Sequence, residues 1–152
     1  MTVNLPSGQQ VSASHPIDTR AAFEVIKRAT YLSVTTFRKN GTPVLTPVWF
    51  FEQDGMLYFE TEHDAGKIKR IRNNPHVVIA PCTASGKKTG ESLDAHATIL
   101  TDPADQALAL AGLRKKYRGI RQVYYFILNL SMRLRGKPVA QAALCRIEPT
   151  LG

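Results

Sequence analysis

The fold is decided by residues 31–61, YLSVTTFRKNGTPVLTPVWFFEQDGMLYFET. Tyr31 to Arg38 is crowded with β-branched and aromatic side chains, which suit a pleated, half-buried surface, and it runs into Lys39-Asn40-Gly41, where Asn-Gly is a strong short hairpin signal. Two antiparallel strands should meet there. The second, Thr42 to Glu52, carries Pro43 and Pro47, and because proline cannot donate to a ladder these are expected at an edge, a strand start or a bulge. Gln53-Asp54-Gly55 then turns the chain into a third strand, Met56 to Thr61. The segment reads as a meander.

Working outward, residues 1–14 are polar, include Pro6 and Gly8, and are expected to form a loose arm. Asp18 or Thr19 caps a short helix whose Ala22, Val25, Ile26 and Ala29 repeat at the spacing of one buried face. On the other side, Asp64 is the expected cap of a helix reaching about Asn73, with Ile68 and Ile71 inward and Pro75 as its stop. His76 to Cys82 and Ser92 to Leu100 form the next hairpin, in which Leu93, Ala95, Ala97 and Ile99 alternate with polar neighbours. Asp102-Pro103 opens a helix that runs to about Tyr117 and breaks at Gly119, and Arg121 to Arg135 forms another. Pro138 to Ile147 supplies the last strand. The expected architecture is mainly β: one domain over residues 1–152, a six-stranded antiparallel barrel or curled sheet, with a helical segment, 103–135, packed on its outside.

A chain of 152 residues, 43% hydrophobic and 21% charged, can close a core without staples. The two cysteines, Cys82 and Cys145, lack the spacing of a zinc site or a disulfide framework and read as buried thiols. The start has neither a basic nor an apolar leader region, and no apolar run approaches the ~18 residues of a membrane span, so a cytoplasmic protein without membrane association is expected. His15, His63, His76 and His96 show no metal-ligand spacing, and no nucleophile elbow, P-loop or HExxH motif is present.

The net charge of +8 is concentrated in two places. Lys67, Lys69, Arg70 and Arg72 crowd one helix, and from Gln106 to Arg146 nine Lys or Arg residues occur without one Asp or Glu. Such a surface calls for an anionic partner. Nucleic acid is not expected, because Tyr117, Tyr124 and Tyr125 fall on helices rather than on an exposed stacking sheet.

Asp64-Ala65-Gly66-Lys67 offers a helix start with free N–H groups, a residue without Cβ and a point charge, with Arg70 one turn further on the same face. That set suits a phosphate; a merely solvated basic face is the other reading. Thr46-Pro47-Val48-Trp49 is similarly open to two readings, a ring-lining segment whose prolines free backbone groups, or a core Trp beside an edge bulge. Helix 121–135 has three: a face packed on the barrel or in a dimer contact, a site for an anionic ligand, or an interfacial amphipathic helix with Val123, Phe126, Ile127, Leu130 and Leu134 as its stripe.

Five groups in fixed order, Tyr31-Leu32 with Thr35-Thr36, Asn40-Gly41-Thr42-Pro43, Thr46-Pro47-Val48-Trp49, Gly66-Lys67 ahead of Arg70, and Asn73-Asn74-Pro75, resemble the pyridoxamine phosphate oxidase-like (FMN-binding) split barrels, and within them the deazaflavin-dependent oxidoreductases. The resemblance implies a homodimer with a cofactor at its interface, the phosphate near Gly66, Lys67, Arg70 and Thr61, and the tricyclic ring along Thr46, Pro47, Val48 and Trp49. Pro81 and Cys82, at the end of the following strand, complete the implied set. Gly66 stands where the flavin mononucleotide oxidases carry Arg, which favours the deazaflavin coenzyme F420 over FMN. Lys115, Lys116, Arg118 and Arg121 would meet its carboxylate tail. The implied activity is hydride transfer to a small electron-poor acceptor; a haem-, lipid- or anion-binding barrel without enzymatic activity is the alternative.

Overall fold

The computed structural model describes residues 16–137 and 141–152; the expected arm over 1–14 and the expected start of the last strand at Pro138-Val139 lie outside them. Tyr31–Phe37 (β1) pairs antiparallel with Pro43–Val48 (β2), and the hairpin closes through Arg38 C=O accepting from Gly41 N–H at 2.8 Å. Gly41 alone takes a left-handed φ, +88°, so the Asn-Gly signal marks the turn through its glycine. Phe50–Gln53 (β3) and Met56–Glu62 (β4) form the second hairpin. Its two-residue turn holds Asp54 at φ 52° and Gly55 at φ 80°, both positive as a type I′ turn demands.

Thr42 to Glu52 was expected as one strand; the structure breaks it at Trp49, giving seven strands among the described residues where six were expected. The remaining strands are His76–Cys82 (β5), Leu93–Ile99 (β6) and Ala142–Pro149 (β7), and the sheet order is β2-β1-β5-β6-β7-β4-β3. The two outermost strands are thus successive halves of one bent run, which curls the sheet towards closure. At the bend the Tyr117 hydroxyl accepts from Phe50 N–H at 3.0 Å and lies 2.6 Å from Thr30 C=O, to which it donates. Burial raises the Tyr117 pKa to about 12, so the donor proton is retained across the physiological range. Pro43 and Pro47 sit in an edge strand, as their missing N–H groups require.

The interior is filled from every strand: Leu32, Val34, Val48, Phe50, Leu57, Phe59, Val77, Ile79, Leu93, Ala95, Ala97, Cys145 and Ile147 share one core. Thr19–Lys27 (α1) adds to it and is capped by Asp18, whose Oδ1 accepts from Arg20 and Ala21 N–H. Its buried face is Ala22, Phe23 and Ile26; Val25, expected inward, is exposed and Phe23 takes its place. Gly66–Asn73 (α2) buries Ile68 and Ile71 as expected. Its cap position, however, is Ala65 rather than Asp64, and no side chain caps it.

Pro103–Lys116 (α3), capped by Asp102 with Pro103 in its first turn, packs over β3, β4 and β7. Ala109, Leu113 and Tyr117 form a second cluster there with Phe51, Leu100 and Leu144. Ile120–Leu134 (α4) follows Gly119, at φ 80°. Of its residues only Arg121 is buried, at 9% exposure.

Candidate functional site

A cleft of about 450 Å³ opens where the bend at Trp49, the end of β4 and the start of α2 converge. Pro47, Val48 and Trp49 come from the bend, Glu60, Thr61 and Glu62 from β4, and Ala65 and Lys67 from the α2 start. Tyr31, Ala84, Tyr124 and Tyr125 complete its lining. The aromatic wall is braced, since Tyr124 meets the Trp49 ring edge-on at 5.1 Å and Tyr125 meets Tyr124 at 5.2 Å.

Its charges are not symmetric. Burial lowers the Lys67 pKa, Arg70 lowers it further, and Cys145 and Glu62 pull the other way. Among the described residues Lys67 is in no ion pair, so its charge is available to a ligand. Glu60 is already neutralised: both its oxygens accept from Arg121, Oε2 from Nε and Oε1 from Nη2, each at 2.6 Å. That hydrogen bonding raises the Arg121 pKa against the opposing effect of burial. Burial first, then Glu60, pushes the Tyr125 hydroxyl upward, so it remains a neutral donor beside the carboxylate. Cys145, at the core side of Lys67, is held as a thiol by burial, its pKa raised to about 12.

Five of the ten residues singled out from the sequence, Pro47, Val48, Trp49, Thr61 and Lys67, line this cleft together. Thr46, Gly66, Arg70, Pro81 and Cys82 do not line it. Thr46 turns its hydroxyl towards Val34 C=O at 3.5 Å. Arg70 folds back over the first turn of α2, where a Cβ on Gly66 would meet its Nη1 at 2.7 Å, while its Nε donates to Thr36 Oγ1 at 2.7 Å. Its guanidinium thus stands against the first residue of α2 without lining the cleft. Pro81 packs beside Gly90, and Cys82 is a buried thiol in the strand pair with Tyr31.

Two of the four cations expected to meet a carboxylate tail are committed within the chain: Lys116 Nζ donates to Ala29 C=O at 3.1 Å, and Arg121 holds Glu60. Lys115 and Arg118 remain exposed. Sequence reasoning missed Tyr31, Glu60, Tyr124 and Tyr125. The signal for Glu60 was a lone carboxylate in the apolar run Met56 to Thr61; Tyr31 stood in the family-like Tyr31-Leu32 pair with no role assigned to it, and Tyr124 and Tyr125 carried no signal, because only tertiary folding sets α4 beside Trp49.

The family model described as pyridoxamine 5'-phosphate oxidase matches residues 18–145. No curated protein matches the chain. Among solved structures, the haem storage protein of Vibrio cholerae is 16% identical, with 88% of this chain and 90% of that one covered and a TM-score of 0.59. An FAD-binding protein of Mesorhizobium loti is 17% identical, covering 88% and 91%, at a TM-score of 0.55. A structure described as an F420 reductase is 17% identical, covering 84% and 91%, at 0.51. At these identities the likeness is one of fold.

Proposed function

The chain belongs to the pyridoxamine 5'-phosphate oxidase family, and from that premise we propose that it is an oxidoreductase whose cleft takes the deazaflavin coenzyme F420 and serves a small electron-poor organic acceptor. One observation carries the reading: Lys67, in no ion pair among the described residues, stands at the uncapped start of α2 and shares a cleft with Trp49, Tyr31 and Tyr124. The residues fit such a group. A phosphate needs positive potential and free N–H donors, which Lys67, the first turn of α2 and the nearby Arg70 supply, with Thr61 as a hydroxyl donor.

When bound, the coenzyme supplies hydride transfer. Lys67 and Thr61 hold its phosphate, Trp49 and Pro47 wall its ring system, and Tyr124 with Tyr125 exclude water from that side. Glu60 adds no net charge to the cleft while Arg121 holds it, which leaves Glu62 as the carboxylate of the lining that acts on Lys67. The proposal includes the homodimer: by strand register Pro47 and Leu45 lie on the same side of the sheet as Ser33 and Thr35, and while Ser33 and Thr35 are buried within the chain, Pro47 is exposed and Leu45 is 49% exposed. A second copy seated on that face would cover Leu45 and complete the cleft beside Pro47.

The test is a pair of titrations, F420 and FMN separately, followed by fluorescence quenching. F420 should bind more tightly, and Lys67→Ala should weaken it ten- to a hundredfold, the equivalent of losing a charge-assisted contact of about 1.5–3 kcal/mol. Tighter binding of FMN would transfer the reading to a flavin enzyme of the same fold, and binding of neither would end it. The pH dependence has a definite sign. Lys67 is charged below its pKa, which burial sets under the ordinary lysine value of 10.5, so affinity should decline with rising pH before that value is reached, and the decline should vanish in Lys67→Ala.

A further inference from the structure

α4 displays an apolar surface that its own barrel does not cover. At 100° per residue, Ile120, Val123, Phe126, Ile127, Leu130 and Leu134 fall within one arc of the helix, and Arg121, Tyr125, Leu128 and Met132 fall on the opposite side. The second set is buried or half-buried against the protein. The first is open to solvent, from 47% exposure at Leu130 to 69% at Phe126 and 81% at Leu134. The stripe therefore points directly away from the fold, and the Arg121–Glu60 pair fixes it in that attitude.

The charge around the stripe selects its occupant. Arg118 precedes it, Arg133, Arg135 and Lys137 end it, all exposed, and no Asp or Glu occurs from Gln106 to Arg146. A second copy docked stripe to stripe would bring like charges together. An anionic lipid surface reverses that sign, because apolar side chains enter the acyl boundary while the flanking cations stay among the head groups. We propose that α4 seats the protein on an anionic membrane surface. It lies in the interface rather than crossing it: α4 has 15 residues against the ~20 of a span, and no helix among the described residues is long and apolar enough to cross. The expectation of a protein without membrane association rested on the absence of a spanning segment, and a helix lying flat needs none.

Co-sedimentation of the full chain with vesicles tests this. Vesicles of phosphatidylcholine mixed with phosphatidylglycerol should carry the protein down, vesicles of phosphatidylcholine alone should bind at least ~10-fold less, and added salt should release it. Phe126→Asp with Ile127→Asp should abolish binding while leaving the thermal midpoint unchanged, since both side chains are exposed. Arg133→Gln and Arg135→Gln should each weaken it about fivefold. Wild-type protein remaining in the supernatant with anionic vesicles overturns the proposal, as does retention of binding by the Asp variant. Should the Asp variant instead convert a dimer into monomers while wild type ignores vesicles, the stripe is a contact between copies and the proposal fails.

Discussion

The two C-terminal helices are neighbours in sequence and opposites in how they are held. α3 has no marked apolar stripe, yet it is docked: Leu113 and Ala109 are fully buried, Gln106 Nε2 donates to Leu100 C=O at 3.0 Å, and Gly112 leaves the room that the Phe51 ring occupies. At its end Lys116 binds Ala29 C=O and stands 3.6 Å over the Phe50 ring. α4 has the clear stripe and presents it to solvent, its inward side held by a buried ion pair and by tyrosines against Trp49. An apolar period shows what a helix can bury; whether its own chain provides the cover depends on a matching hollow.

The comparison breaks most readily at Arg121. Arg121→Leu leaves Glu60 buried without its partner, and the loss should be about 4 kcal/mol by urea titration, with amide protection lost along α4 while α3 stays protected. An unchanged midpoint would mean that α4 is held by something other than this pair. A smaller effect sharpens the α3 side: a Cβ on Gly112 would overlap the Phe51 ring, so Gly112→Ala should cost roughly 2 kcal/mol in packing, offset by ~1 kcal/mol of improved helix propensity, leaving about 1 kcal/mol of net destabilisation. The smallest belongs to the stripe, where Ile127→Ser should alter stability by no more than ~0.5 kcal/mol, because water already surrounds the side chain it replaces. A larger loss at Ile127 would show that the face is covered in solution.

The legible parts of this molecule are those governed by neighbours in sequence. Alternation over Leu93–Ile99, the Asp18 and Asp102 caps, and the Asp54-Gly55 turn are local choices, and each is found where its chemistry placed it. The break at Trp49 is different. Trp49-Phe50-Phe51 reads as continuous strand, because the cause of the break is the pairing of its two halves with β1 and β4 at opposite edges of the sheet. The cleft divides in the same way. Lys67, Thr61 and the Pro47-Val48-Trp49 segment carried local or family signals, whereas Tyr124, Tyr125 and Glu60 join them through contacts spanning some sixty residues. Arg70 had the correct helical spacing from Lys67, but spacing does not fix a rotamer, and its guanidinium turned to Thr36.

The bent run also governs how errors in strand alignment would propagate. Pro47 lies opposite Ser33 on one ladder and Phe50 opposite Phe59 on the other, with only Val48 and Trp49 between them. A slip of one residue along β1 would drag the second ladder out of step and turn Phe50 away from the interior, so the penalty for misalignment is felt at both margins at once. Closure therefore acts as a proofreading device, admitting only the alignment in which both ladders are correct together.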